Sequence, residues 1–175
     1  MGGDVHIIGI GSTPLGRFPD KSVKDLTRAA VTQALADAGA SMADVEAAWF
    51  SNTRQGMMEN QNTIRGQCAL RSMGFETIPI INVENACCSS STGLNQAFAH
   101  IRAGLCEVAL VVGAEKMFYP DKKDLMFRHS SAGGTCMIPN TRRKSCSQSA
   151  KGSRCHRRRT STPVSTACSW TSTPR

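Results

Sequence analysis

Residues 83–94, Val83-Glu84-Asn85-Ala86-Cys87-Cys88-Ser89-Ser90-Ser91-Thr92-Gly93-Leu94, set two adjacent cysteines between an apolar run and a hydroxyl-rich helical start. The run before them, residues 78–83, reads as a buried strand, and an amphipathic helical pattern follows. A thiol in the first turn of a helix faces unpaired amides and the positive end of the helix dipole. Both favour the thiolate, which is the nucleophilic form. The stretch is therefore a candidate nucleophile site, with Cys87 or Cys88 as the reacting thiol. The competing reading makes both cysteines small buried packing residues, the usual fate of free thiols.

The elements that must position this stretch follow from hydrophobic periodicity. Residues 5–10 are a short apolar run ending near glycine, the form of a strand, and residues 11–20 are loop by their glycines and prolines. Gly9-x-Gly11 after a strand invites a dinucleotide-binding reading. The third glycine comes late, at Gly16, and Pro14 interrupts where a helix should open, which argues against it. Ser22 caps a helix with Asp25 three residues on; Val23, Leu26, Ala30, Val31, Ala34 and Leu35 give its apolar face, and Gly39 ends it. Ser41 and Asp44 repeat the cap for one short turn, and residues 45–50 read as a second strand.

Residues 51–62 read as polar loop, with Met57 and Met58 exposed and available to an interface. Residues 63–73 predict a helix with Ile64, Cys68 and Leu70 inward, and residues 79–83 a third strand. Leu94, Ala97, Phe98, Ile101 and Leu105 share one helical stripe with His100 on its flank. Residues 107–113 are a continuous apolar run suited to the middle of a parallel sheet. Strands alternating with helices argue an α/β layered domain with right-handed crossovers.

The net charge of +8 over 175 residues is unevenly placed. All 13 acidic residues lie in residues 1–128 with 12 of the 21 Lys+Arg, whereas residues 129–175 carry the other 9 and no acid. That tail is rich in Ser, Thr and Arg and nearly devoid of aliphatics, so it is expected to be disordered, or an out-of-frame translation, beyond a domain of residues 1–128. Its cysteines lack a close C-x-x-C pair, so no metal site is expected. Its basic runs, Arg142-Arg143-Lys144 and Arg157-Arg158-Arg159, have no interleaved aromatics, so no specific nucleic-acid partner is expected. The start shows no signal-like leader and no segment is long enough to span a bilayer. The eight cysteines are accordingly read as free thiols of a cytoplasmic protein.

Three segments are similar to the thiolase superfamily, and more closely to its lipid-transfer branch related to the sterol carrier protein x enzyme. Asn82-Val83-Glu84-Asn85-Ala86-Cys87 resembles the strand-to-nucleophile junction. Gly113-Ala114-Glu115-Lys116-Met117 resembles the strand end after the nucleophile helix, and residues 5–14 the opening strand and loop. The resemblance implies a layered α/β/α N-terminal half with a mixed, mainly parallel sheet. It implies acyl transfer from a coenzyme A thioester, as substrate rather than bound cofactor, onto a cysteine, in a homodimer.

Aligning back from Gly113 places Cys87 at the nucleophile position, whereas Cys88-Ser89-Ser90-Ser91 matches the Cys-Ser-Ser-Ser of β-ketoacyl synthases, which share the fold. A condensing enzyme of that kind and a non-catalytic acyl-lipid-binding protein are the alternatives. Many thiolases carry glycine three residues after the nucleophile, where this chain has Ser90. The family's catalytic histidines and second acid/base residue come from a later half. None of His6, His100, His129 and His156 sits in the family's settings, so a truncated, weakly active or inactive chain is expected.

Overall fold

The computed structural model describes residues 4–122 and the backbone of residues 164–172. The chain runs β1 (Val5–Ser12), α1 (Val23–Ala38), β2 (Ala47–Ser51), α2 (Gln55–Glu59), α3 (Arg65–Arg71), β3 (Ile80–Val83), α4 (Ser89–Arg102), β4 (Val108–Glu115) and β5 (Val164–Ser172). Short 3-10 turns at Met42–Asp44 and Ala86–Cys88 precede β2 and α4.

One sheet collects the strands in the order β1-β5-β4-β2-β3. β2 is parallel to both β3 and β4, and β5 is antiparallel to both β4 and β1, so four strands run one way and β5 runs against them. This is the mixed, mainly parallel sheet that the sequence led us to expect.

Alternation along β2 and β4 builds two cores. Ala48, Phe50, Leu110, Val112 and Ala114 face α1 and α3, while Ala47, Trp49, Ala109 and Val111 face α4. All five residues of β2 are buried, as a central parallel strand requires. Helices on both faces give three layers, α/β/α.

Local signals formed α1 as expected. The Ser22 hydroxyl accepts from the Asp25 amide while the Asp25 carboxylate accepts from the Ser22 amide, and Gly39 ends the helix in the left-handed region at φ 62. Gly9 and Gly11 let β1 approach α1 more closely than a side chain allows. A Cβ on Gly11 would stand 2.0 Å from the Ala30 carbonyl oxygen, and one on Gly9 2.3 Å from that of Ala34. The glycine pair therefore serves helix packing. Across the same contact α1 covers the free side of β1: the Ile10 amide donates to Asp37 Oδ2 at 2.8 Å and the Ser12 amide to Gln33 Oε1 at 2.7 Å.

Several expectations need correction. Residues 51–62 are not all loop, since α2 forms within them and carries Met58 inward to 1% exposure; Met57 is half-buried. Met58 is therefore core and cannot serve an interface. Ile64 points out at 58% exposure, because α3 begins only at Arg65 and buries Gly66, Ala69 and Leu70 instead. On α4 the buried stripe is Gly93, Ala97 and Ile101, with Phe98 at its border and Leu105 past the helix end, both exposed. Within the stretch expected to be disordered, β5 pairs with two strands. Val164, Thr166 and Trp170 are β-formers at alternate sequence positions, a pattern that the composition of the whole tail conceals. The remainder of that stretch, with the boundary at residue 128 and Cys136, Cys146, Cys155 and His156, lies outside the described residues.

Gly11→Ala should destabilise the chain by the upper part of about 1–3 kcal/mol, because the new methyl meets backbone rather than a movable side chain. Urea denaturation checks this, and a loss below about 0.5 kcal/mol would refute the close-approach account.

Candidate functional site

The three parallel strands β2, β3 and β4 end on one side of the sheet, where ligands gather in open α/β folds. The chain leaves β3 at Val83, turns through Glu84 and Asn85, and enters the 3-10 turn that holds both cysteines. Cys87 and Cys88 are exposed free thiols. They precede α4 rather than lying in its first turn, Cys88 being its N-cap residue. Burial, the basis of the packing reading, does not apply to either.

The entry to this turn is unusual. Ala86 sits at φ 46, in the left-handed region that disfavours any residue with a Cβ. Such a conformation persists only where its surroundings over-determine it. Here the Ser89 hydroxyl accepts from the Asn85 amide at 2.8 Å and donates to the Ala86 carbonyl at 2.8 Å, so it holds both sides of the strained residue. The Glu84 carboxylate accepts from the Ala86 amide at 2.8 Å, the Cys88 amide donates to the Asn85 carbonyl at 2.9 Å, and the Asn85 side chain donates to Thr92 Oγ1 at 3.0 Å.

The end of β2 reaches the same turn. The Ser51 hydroxyl donates to the Ser89 carbonyl at 3.1 Å, and the Thr53 hydroxyl donates to the Ala86 carbonyl at 3.3 Å. Thr53 is itself fixed by the end of β4. Its amide donates to Glu115 Oε2 at 2.9 Å, the Arg54 amide donates to Glu115 Oε1 at 3.0 Å, and Asn52 Nδ2 donates to the Ala114 carbonyl at 2.7 Å. Burial pushes the Glu115 carboxyl above the usual glutamate range, against the pull of the Thr53 and Arg54 amides, which favour its anion.

Beside the turn a cleft of about 280 Å³ opens between the ends of β2 and β3. Phe50 and Val83 are its buried apolar lining, with Asn52, Arg65, Asn82 and Glu84 among its polar residues. Arg65 is held in place by the Asn52 and Gln61 carbonyls, and Asn82 Oδ1 accepts from the Gly66 amide at 2.6 Å, anchoring the start of α3.

α4 seats on the sheet where Ser90 meets Gly113. A Cβ at Gly113 would fall 2.4 Å from Ser90 Oγ, so the glycine of β4 makes room for the serine that stands where many thiolases have glycine.

The other candidates lie elsewhere. His100 packs edge-on against Trp49, ring centroids 4.9 Å apart, roughly 18 Å along α4 from Cys88. His6 is exposed on β1, while His129 and His156 lie outside the described residues. Cys106 is buried, and burial together with the Glu46 charge pushes its thiol up, away from reactivity. Among the described residues no group of three or more His, Cys, Asp or Glu converges on a metal position, and no helix is long and apolar enough to cross a membrane.

Sequence reasoning located the cysteines but gave no role to Ser51, Thr53, Ser89 or Glu115. The available signal was a polar residue at or just beyond the end of each buried strand.

Two predictions follow from this geometry. Because the folded chain keeps the Glu115 proton at pH values where the unfolded chain has lost it, this group's contribution is full below the ordinary glutamate pKa. It is lost as pH rises through the folded value. Glu115→Gln should therefore flatten the fall in stability with pH above the ordinary glutamate pKa, measured by urea melts across that range; parallel pH profiles would disprove it. Gly113→Ala should cost about 1–3 kcal/mol, and Ser90→Gly in the same chain should recover most of it. Additive losses in the double mutant would contradict the Ser90–Gly113 fit.

Comparison with known proteins bears on the fold and the family. Acetyl-CoA acetyltransferase of Methanocaldococcus jannaschii is 35% identical over 114 residues, covering 65% of this chain and 29% of that protein. Non-specific lipid-transfer protein-like 2 of Caenorhabditis elegans is 36% identical over 116 residues, covering 65% of this chain and 27% of its own length. The chain thus spans less than a third of the curated relatives it matches. The crystal structure of 3-oxoacyl-[acyl-carrier-protein] synthase III from Aquifex aeolicus shares the fold, with a TM-score of 0.64 at 13% identity over 98% of this chain and 55% of that one. Residues 5–142 match the family described as Thiolase, N-terminal domain, and on that match the chain belongs to the thiolase family.

Proposed function

We propose that this chain performs acyl transfer of the thiolase type, with Cys87 as the nucleophile and an acyl-coenzyme A thioester as substrate. In the step, Cys87 Sγ attacks the thioester carbonyl carbon and a tetrahedral oxyanion forms. The bond to the coenzyme A sulfur then breaks, the departing thiolate takes up a proton, and the acyl group remains as a thioester on Cys87. Hydrogen-bond donors near the helix start would stabilise the oxyanion. Coenzyme A enters and leaves as part of the substrate.

The observation that carries this reading is the exposed Cys87 in a strained, heavily bonded turn at the carboxyl ends of three parallel strands. That turn lies in the segment that resembles the family's nucleophile junction. Among the described residues no histidine lies beside Cys87, so acylation is the half-reaction that these residues support, with slow completion of turnover. The substrates belong to lipid and fatty-acyl metabolism in this reading, and the expected assembly is a homodimer. In its support, β3 stands last in the sheet order, paired on one side with β2.

Incubation with radiolabelled acyl-coenzyme A followed by fragment mass spectrometry tests the proposal. The label should sit on Cys87 and fall by about 100-fold or more in Cys87→Ser, while Cys88→Ser retains it. A label on Cys88 would instead favour the β-ketoacyl-synthase register. No label on either would leave the chain as a non-catalytic acyl-lipid-binding protein or an inactive fragment.

A further inference from the structure

We propose that Ser89 is a positioning residue for the reacting thiol: its hydroxyl sets the plane of the Ala86–Cys87 peptide and thereby aims Cys87. The inference rests on the acyl-transfer reading of Cys87 but concerns a residue to which that reading gives no role.

Four observations carry it. Ala86 occupies the left-handed region at φ 46, so the turn needs outside support on both sides of this residue. Ser89 Oγ provides it, accepting from the Asn85 amide and donating to the Ala86 carbonyl, each at 2.8 Å. The Ser89 side chain is 5% exposed, so water does not readily replace these bonds. Finally, Ser89 is backed by a second layer: Thr53 Oγ1 lies 3.4 Å from Ser89 Oγ and donates to the same Ala86 carbonyl, while the Thr53 amide is held by Glu115.

The consequence for Cys87 is geometric. The Ala86 carbonyl belongs to the peptide bond that joins Ala86 to Cys87. In a planar trans peptide the N–H points opposite to the C=O. Turning the Ala86 carbonyl toward Ser89 therefore turns the Cys87 amide away from it and places the Cys87 Cα, from which the side chain departs with the backbone of the 3-10 turn. A hydroxyl two residues after the thiol thus controls its aim without touching it. Ser90 and Ser91 do not share this role, because Ser90 Oγ lies against Gly113 and Ser91 Oγ donates to the Cys88 carbonyl at 3.0 Å.

The test compares the full chain with Ser89→Ala, Ser89→Thr and Thr53→Val in two assays. The first is site-resolved alkylation by iodoacetamide, with Cys88 as internal reference and buried Cys106 as reporter of the folded state. The second is acylation by radiolabelled acyl-coenzyme A. Ser89→Ala should lower the Cys87:Cys88 alkylation ratio by about fivefold or more, and acylation of Cys87 by about tenfold, with Cys106 still protected. Ser89→Thr keeps the hydroxyl and should stay within about twofold of the parent on both, and Thr53→Val should show a smaller fall in the same direction. An unchanged ratio in a folded Ser89→Ala protein overturns the proposal. Should Ser89→Ala expose Cys106, Thr53→Val decides, and an unchanged ratio there is equally fatal. The two readings separate cleanly. A parent that alkylates selectively at Cys87 yet accepts no acyl group defeats acyl transfer, while a collapsed ratio in Ser89→Ala still upholds the positioning role. An acylated parent with an unmoved ratio does the reverse.

Discussion

An alanine held at positive φ costs about 1–2 kcal/mol relative to ordinary backbone, and everything around the cysteine pair exists in relation to that cost. Ala86 stays in place because groups from the start of α4 and from beyond the end of β2 converge on its carbonyl, while Glu84 accepts from its amide. Ser89 donates to that carbonyl and accepts from the preceding Asn85 amide from the start of α4, Thr53 reaches the same carbonyl from beyond the end of β2, and Glu115 holds Thr53 from the end of β4. Each contributor sits where a buried parallel strand or its following helix meets the polar end of the sheet. The apolar layers of β2 and β4 are thus what fix the separation between these polar groups. A carboxylate in such a place is itself under tension between desolvation and amide donors, and the loop it gathers is held only as well as that balance allows.

How much of the fold could be read in advance depended on whether the determinant was local. The Ser22–Asp25 cap and Gly39 stop bounded α1 to the residue, since they act within one turn of chain. β4 was legible as a continuous apolar run and β2 by its β-formers, because both faces of each strand are largely buried. α2 was not legible. Its N-cap residue, Arg54, makes no side-chain cap, and the helix instead relies on Asn52, whose Oδ1 accepts from the Gln55 amide at 3.0 Å. β5 was hidden for a different reason: its nine residues are diluted in a longer stretch whose average composition argues against any regular element. Ile64 was misplaced because an apolar residue at a helix boundary matches the periodicity without belonging to the helix.

The site was legible only at its centre. Two thiols between a strand and a helix announce themselves in any reading of the residue types. The groups that hold them do not, because Thr53 and Glu115 lie 62 positions apart and meet only through strand adjacency. Their chemistry is also generic, a hydroxyl or carboxylate bonded to backbone, which leaves no motif. Ser90 illustrates the converse. Taken alone it is a departure from the glycine that many thiolases carry, yet the space it needs is supplied by Gly113 on a different strand.

Both margins of the sheet are met by side chains from the helices. On the β1 side, Asp37 and Gln33 of α1 occupy outward amides that another strand would need, and on the β3 side Gln67 of α3 donates to the outward Ile80 carbonyl at 2.9 Å. A sheet with two open margins can add copies indefinitely and grow into a fibre. The side chains of α1 and α3 that meet these margins therefore also occupy groups through which a further strand would bond, and so work against such growth.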